Sequence, residues 1–156
     1  MEIRFKKIKA RKDGKLRLEY EVNNNGKWDE YTLNCSDEPK AAYTEAMAAL
    51  AQDVIEMCEL PVDYKDRITV TGVSFSHGGE KEVMGAVITA QMNLRHSNQP
   101  LNLNTPHKAE EYYGETGDAL QLLDEACVRR LTILQEEAED YVNGTRAQVE
   151  MFPEVA

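Results

Sequence analysis

Cysteine and aromatic residues are scarce in this chain, and long apolar runs are missing. The three cysteines, Cys35, Cys58 and Cys127, lie far apart without a Cys-x-x-Cys pair, which argues against a disulfide framework and against a zinc knuckle. No stretch approaches the roughly 18 apolar residues that span a bilayer. The sequence begins with charged alternation rather than an apolar signal region. We therefore expect a cytoplasmic protein with no membrane partner.

Recognisable catalytic motifs are also missing from the sequence. Gly78-Gly79 lies between two predicted strands rather than before a helix, so it predicts a hairpin turn instead of a phosphate-binding loop. His77, Glu80 and Glu82 surround that turn without an apparent fourth ligand, and we predict no metal there. We expect a non-enzymatic protein with no catalytic residue and no cofactor.

The charge of the chain is strongly acidic overall but basic at its start. The net charge is −10, yet residues 1–18 carry eight Lys or Arg against two acidic residues. The acidic field disfavours general nucleic-acid binding and leaves one basic edge. This candidate basic face comprises Arg4, Lys6, Lys9 and Arg11. Its interpretation is open between cross-strand pairing with Glu residues of the next strand and an anion site.

Apolar alternation predicts five strands. Three of them, within residues 3–10, 16–22 and 31–35, form an antiparallel meander, and a change of phase near Lys6-Lys7 indicates a β-bulge. Two more strands cover residues 68–75 and 83–94, with a second bulge at Gly72.

Three- and four-residue apolar spacing predicts two helices. The first starts at residues 36–39 and carries its stripe to Cys58, and the second starts at Thr116 or Asp118 and ends at Asn143-Gly144. The order β-β-β-α-β-β-α predicts an α+β fold, with a mostly antiparallel five-stranded sheet packed by two helices. Residues 1–144 form a single domain in this prediction, and residues 145–156 form a C-terminal tail.

A polar segment over residues 95–115 is predicted to be a long loop, because Pro100 and Pro106 interrupt it. Its hydroxyl, amide and cationic side chains either satisfy the local backbone or bind a ligand or partner. The candidate binding residues are Arg95, His96, Asn98, Asn102, Asn104, Thr105 and His107.

Several short stretches resemble small accessory proteins of tailed phages and prophages of Firmicutes-type bacteria, a group with no assigned activity. The stretches are Ile68-Thr69-Val70-Thr71-Gly72-Val73-Ser74-Phe75, Val87-Ile88-Thr89-Ala90, Leu103-Asn104-Thr105-Pro106-His107 and Glu137-Ala138-Glu139-Asp140-Tyr141-Val142-Asn143-Gly144. The resemblance implies expression in the cytoplasm of a bacterial host cell, for DNA metabolism or for countering host defences.

Three functional hypotheses remain open at this point. The first is a non-enzymatic binding protein that acts on a host or phage protein. The second is a small-ligand sponge that sequesters a nucleotide signal, and the third is a recombination or replication accessory factor that contacts DNA through the basic first strand. Apolar groups such as Val87 on the outer sheet face also suggest a homo-oligomer.

Overall fold

The computed structural model describes residues 2–111 and 122–147. Within this part, strands and helices occupy separate stretches of the chain, as in an α+β protein. The strands are β1 (Ile3–Ala10), β2 (Leu16–Asn24), β3 (Lys27–Cys35), β4 (Ile68–Gly78), β5 (Val83–Met92), β6 (Leu101–Asn104) and β7 (Lys108–Ala109). The helices are α1 (Ala41–Ala49), α2 (Ala51–Met57) and α3 (Glu125–Val142), and a short 3-10 helix covers Val62–Arg67.

The first three strands form the predicted meander. Gly14 and Gly26 have φ values of 84° and 86° in the two connecting turns, where a Cβ atom would be strained. The pairing of β1 with β2 shifts between Phe5 and Lys7, which confirms the first predicted bulge. The local alternation of side chains was therefore sufficient to predict this half of the sheet.

The second half of the sheet contains more strands than predicted. The order is β3-β2-β1-β4-β5-β6, and β7 also pairs with β5, so the five-strand prediction is corrected to a seven-stranded sheet. The predicted loop over residues 95–115 supplies both additional strands, which run antiparallel to β5. Pro100 and Pro106 flank β6 rather than interrupt it, and an edge strand tolerates proline there. The bulge at Gly72 is confirmed by a register shift between Val70 and Gly72.

The first predicted helix is shorter and broken. It starts at Ala41 after Lys40, not at residues 36–39, because Asp37 in that segment binds the C-terminal part of the chain instead. The Asp37 carbonyl accepts a hydrogen bond from the Tyr141 hydroxyl (2.6 Å). At the buried Leu50 the backbone switches to three-residue hydrogen bonds, which separates α1 from α2.

The last helix begins at Glu125, with the Asp124 side chain accepting from the Cys127 N–H at 2.7 Å. The predicted starts at Thr116 and Asp118 lie outside the described residues. The predicted end at Asn143-Gly144 is confirmed, with Gly144 at φ 107°. Residues 145–147 are not a loose tail, because the Ala147 N–H donates to the Glu38 carbonyl (2.9 Å). Residues 148–156 lie outside the described part.

The helices contact β1, β4 and β5 on one side of the sheet. Between them lies the hydrophobic core, in which Ile8, Leu18, Leu50, Leu131 and Leu134 have no exposed surface. The opposite side of the sheet is hereafter the outer face, and none of the helices in the described ranges covers it. Within those ranges no helix combines the length and apolar character needed to cross a membrane.

Candidate anion-binding groove

An open groove of about 600 Å³ lies on the outer face where β1 and β4 part. The two strands pair over only three positions, from Lys7 opposite Ser74 to Lys9 opposite Gly72. Gly72 permits this contact, because a Cβ atom there would stand 2.7 Å from the Ile8 carbonyl oxygen. Beyond Lys9 the chain separates from β4, and the groove opens between them.

Cationic side chains line the β1 side of the groove. Lys7, Lys9, Arg11 and Lys12 all contribute to its wall, and no carboxylate is among the described residues that line it. Arg11 forms an ion pair with Asp13 (2.8 Å). The three lysines form no ion pair with any described residue. The groove therefore presents uncompensated positive charge.

Hydroxyl and amide groups line the opposite side. Thr89 lies at hydrogen-bond distance from Thr71 (3.3 Å between the Oγ1 atoms) and donates to the Gly72 carbonyl (3.2 Å). The Gln91 amide donates to Asn102 Oδ1 (3.3 Å). These contacts order the side chains and leave further donors and acceptors facing the groove. Ser74 and Asn104 complete this wall.

The predicted basic face divides into two groups. Arg4 pairs with Glu21 (3.0 Å) and Glu82 (2.9 Å), and Lys6 pairs with Glu30 (2.7 Å). The Lys6 ammonium lowers the pKa of the Glu30 carboxyl through this hydrogen bond. Arg4 and Lys6 thus take part in charge pairing within the sheet. The other two predicted residues, Lys9 and Arg11, lie in the groove.

The predicted polar-loop residues also divide. Asn102 and Asn104 lie in the groove, on β6, opposite the lysines. Thr105 is buried and structural: its N–H donates to the Ile88 carbonyl and its Oγ1 accepts from the Ile88 N–H, both at 2.9 Å. Asn98 is exposed in a bend and lines neither pocket.

Arg95 and His96 lie apart from the groove, in a second pocket of about 370 Å³. The remaining lining residues of this pocket are Tyr64, Arg67, Leu94 and Ser97. It too has no carboxylate among its described lining residues. Sequence reasoning identified two members of this set and missed Arg67, which precedes β4.

His107 contacts Ser76 on the outer face. Its Nε2 lies 2.8 Å from Ser76 Oγ, the distance expected of a nucleophile and its base. Gly85 makes room for the pair, because a Cβ atom there would stand 2.5 Å from the His107 ring. Among the described residues, no carboxylate bonds the other ring nitrogen of His107, so the third member of a triad is not supplied by them. Likewise, the described residues contain no group of three or more side chains suited to holding a metal ion.

The sequence alone could identify only some of the residues that line the groove. Lys7 and Lys12 belong to the same basic run as Lys9, and the run itself could have identified them. Thr71, Thr89 and Gln91 could not have been identified, because their place depends on the pairing of β1 with β4 and of β5 with β6.

Comparisons of this chain with protein-family models, with curated proteins and with solved structures found no match. The function must therefore be argued from the geometry of the groove.

Proposed function

We propose that the protein is a non-enzymatic binding protein that holds a phosphorylated small molecule of the nucleotide class in the outer-face groove. One observation carries this proposal: four cationic side chains and no carboxylate line the groove, in a chain whose net charge is −10. An acidic protein has many carboxylates with which to neutralise neighbouring lysines. Lys7, Lys9 and Lys12 share one concave wall that no carboxylate of the described residues lines, so their charge is available to an anionic ligand.

Repulsion among the groove lysines favours an anionic ligand. Like charges about 7 Å apart, the spacing of residues i and i+2 on one face of a strand, repel by about 0.6 kcal/mol in bulk water and by more beside a protein surface. Lys7 and Lys9 project from the same face of β1, because the bulge precedes both of them. A bound phosphate would relieve this repulsion and accept hydrogen bonds from several ammonium groups together.

The polar wall of the groove favours a nucleotide over inorganic phosphate as the ligand. The groove volume lies within the range of about 300–1,000 Å³ that is typical of small-molecule sites. Amide side chains such as Gln91 and Asn102 carry both donors and acceptors, as the edge of a nucleobase requires. The Thr71 and Thr89 hydroxyls offer partners to a ribose.

The resemblance to phage accessory proteins gives this binding a setting as part of the same proposal. A protein that binds a nucleotide without converting it lowers the free concentration of that nucleotide. In a phage-infected bacterial cell, such sequestration would silence a nucleotide signal of host defence.

Thermal unfolding with a panel of phosphorylated ligands tests the proposal. The panel contains adenosine and guanosine monophosphates, their triphosphates, pyrophosphate and inorganic phosphate. A ligand at a hundredfold its Kd stabilises the folded state by about 2.7 kcal/mol, which is a readily measured rise in Tm. No rise with any member of the panel would contradict the proposal.

A pair of charge-reversal variants localises the effect. Lys9→Glu reverses a groove lysine without an ion pair in the described residues, and Lys27→Glu makes the same change on the exposed start of β3. We expect Lys9→Glu to remove the stabilisation by nucleotide and Lys27→Glu to retain it. Equal behaviour of the two variants would place binding outside the groove.

The edge strand β3 favours a second candidate function, the binding of a host or phage protein. Among the described strands β3 pairs only with β2, so its other side presents unpaired backbone groups, and Tyr31 on this strand is 46% exposed. Such an edge can add a strand from a partner or from a second copy of the chain.

Hydrogen exchange tests whether this edge pairs with a second copy of the chain. Slow exchange of the outward amides of β3 at high protein concentration would support self-association through this edge, and fast exchange at all concentrations would contradict it. Tyr31→Asp should abolish the protection. Val62→Asp, at an apolar residue that is 76% exposed elsewhere, should leave it unchanged.

A further inference from the structure

A separate cleft lies on the helix-covered side of the sheet, between the C-terminal end of α3 and the first three strands. Its volume is about 250 Å³, and most of its lining side chains are apolar or aromatic: Ile3, Tyr20, Val22, Tyr31 and Val142. It is hereafter the tyrosine cleft. The cleft is open towards β3, because β3 is an edge strand and none of its residues is buried.

Two aromatic rings on neighbouring strands line the tyrosine cleft. Tyr20 of β2 and Tyr31 of β3 are paired across the strands, and their rings stack with centroids 5.6 Å apart. Tyr31 is 46% exposed, so its ring offers open aromatic surface. Elsewhere among the described residues arginine side chains lie over the rings of Trp28, Tyr64 and Tyr141, whereas none lies over the tyrosine pair. The Tyr31 ring is therefore available to a cation from outside the chain.

The charge of the cleft is negative. The Glu139 carboxylate of α3 lines it, and no cationic side chain is among its described lining residues. Glu139 is exposed and forms no ion pair with a described residue. Arg146, the cation that follows α3 in the chain, binds Asp37 and the Tyr141 carbonyl instead. The C-terminal end of a helix also carries partial negative charge, which adds to the attraction for a cation.

The groups that line the cleft match the parts of an arginine side chain. A guanidinium stacks on an aromatic ring and donates hydrogen bonds to a carboxylate, and its aliphatic stem packs on apolar surface. A small cation without a stem would leave Ile3 and Val22 uncovered. A purely apolar side chain would bring no charge to Glu139.

The edge of β3 gives such a side chain a route into the cleft. A strand that pairs with β3 lies about 4.8 Å from it, and every second side chain of that strand points to the helix-covered side. A side chain in this position stands beside Tyr31, at the open side of the cleft. Its stem then crosses the Tyr31 ring, and its charged end points towards Glu139.

We propose that the tyrosine cleft docks an arginine side chain of a basic partner protein whose extended segment pairs with β3. The inference rests on the second candidate function, protein binding at the β3 edge, and names the chemistry of the partner. Charge selects a basic partner over a second copy of this chain, because two copies with a net charge of −10 repel each other. Nucleotide binding in the groove on the outer face is a separate matter.

NMR titration of the isotope-labelled full chain with three peptides tests the inference. The peptides match the nine residues of β3 in length, alternate threonine with valine, and differ only in a central arginine, leucine or glutamate. We expect the arginine peptide to bind about tenfold more tightly than the leucine peptide and to shift the backbone signals of β3. The glutamate peptide should bind most weakly, and salt should diminish the preference for arginine.

Two variants assign the preference to the cleft. Glu139→Gln should lower the affinity for the arginine peptide to that for the leucine peptide. Unchanged binding of the leucine peptide also shows that the variant is folded. Tyr31→Leu keeps an apolar side chain without the ring and should weaken binding of the arginine peptide alone. Glu125→Gln makes the same charge change at the other end of α3 and should alter neither affinity.

The possible failures are distinguishable. Equal binding of the arginine and leucine peptides, with shifted β3 signals, overturns the arginine site and leaves protein binding at the edge intact. A preference for arginine that survives Glu139→Gln places the cation elsewhere and also overturns it. Absence of β3 shifts with all three peptides overturns both the inference and the second candidate function. Concentration-dependent shifts of β3 without peptide would show that a second copy occupies the edge, against the inference.

Discussion

The helix-covered side of the sheet and the groove on its outer face use charged residues in opposite ways. On the helix-covered side, the buried Asp53 of α2 accepts two hydrogen bonds from Arg130 of α3, at 2.8 and 2.6 Å. On the outer face, Lys7, Lys9 and Lys12 have no acidic partner among the described residues. Burial makes an unpaired charge costly, so charge is compensated within the chain there. Exposure leaves charge available for a ligand.

Two of the three cysteines, Cys127 and Cys35, provide the largest contrast between covered and open positions. Burial, followed by the charge of Asp53, raises the pKa of the Cys127 thiol, whereas a hydrogen bond with the Tyr141 hydroxyl lowers that of Cys35. Cys127 is 1% exposed, and Cys35 lies half-buried at the end of β3. At pH 8 we expect iodoacetamide to modify Cys35 roughly a thousandfold faster or more, because Cys127 reacts only when the core opens.

Mass spectrometry of timed samples measures the two rates, and urea serves as the control that exposes both thiols. Comparable rates in the native protein would show that the α3 side of the core is not closed. The raised pKa of Cys127 also sets a direction for stability. The unfolded thiol, with a pKa near 9.0, ionises first, so stability should fall as pH rises above that value.

Removal of Asp53 tests the enclosed ion pair directly. Asp53→Ala leaves Arg130 without its partner, and we expect a loss of about 3 kcal/mol in the free energy of unfolding. The double variant Asp53→Leu and Arg130→Met should recover most of this loss, since an apolar pair carries no unpaired charge. Urea titration followed by fluorescence of Trp28 measures both. A single variant as stable as the unmodified protein would contradict the argument.

Gly72 and Gly85 differ in what an added Cβ atom would contact, which is backbone at Gly72 and side chains at Gly85. A Cβ atom on Gly72 would meet the backbone of β1 at 2.7 Å, whereas one on Gly85 would meet the side chains of Ser76 and His107. Gly72→Ala should therefore destabilise by about 1–3 kcal/mol, since β1 must move away from β4. Gly85→Ala should cost less, because the exposed His107 ring can turn aside. A larger loss for Gly85→Ala in the same urea titration would reverse this assignment.

Local patterns in the sequence predicted the meander, both bulges and the end of α3, because each depends on neighbouring residues. The strands β6 and β7 were not predictable in this way. Their apolar alternation is short, and Pro100 and Pro106 favoured a loop. Only the nonlocal pairing with β5 makes this segment a sheet edge.

The same limit applies to the candidate site. Lys9 and Asn104 were both identified as candidates, but in separate sites, and their shared groove depends on contacts between β1, β4, β5 and β6. The pairing of Asp53 with Arg130 was missed as well. Asp53 sits beside Val54 within an apolar helical pattern, and nothing local shows that a cation 77 residues further along the chain would reach it.

The smallest expected effect concerns the stability of the groove itself. Lys9→Glu should change the free energy of unfolding by no more than about 0.5 kcal/mol in the absence of ligand, because Lys9 is exposed and forms no ion pair with a described residue. Lys6→Glu, which replaces the partner of Glu30 by a like charge, should be the more destabilising of the two. Urea titrations of both variants at low and high salt measure the difference, which salt should diminish. A large loss for Lys9→Glu would mean that this lysine serves the fold, and that the groove owes its charge to structure rather than to a ligand.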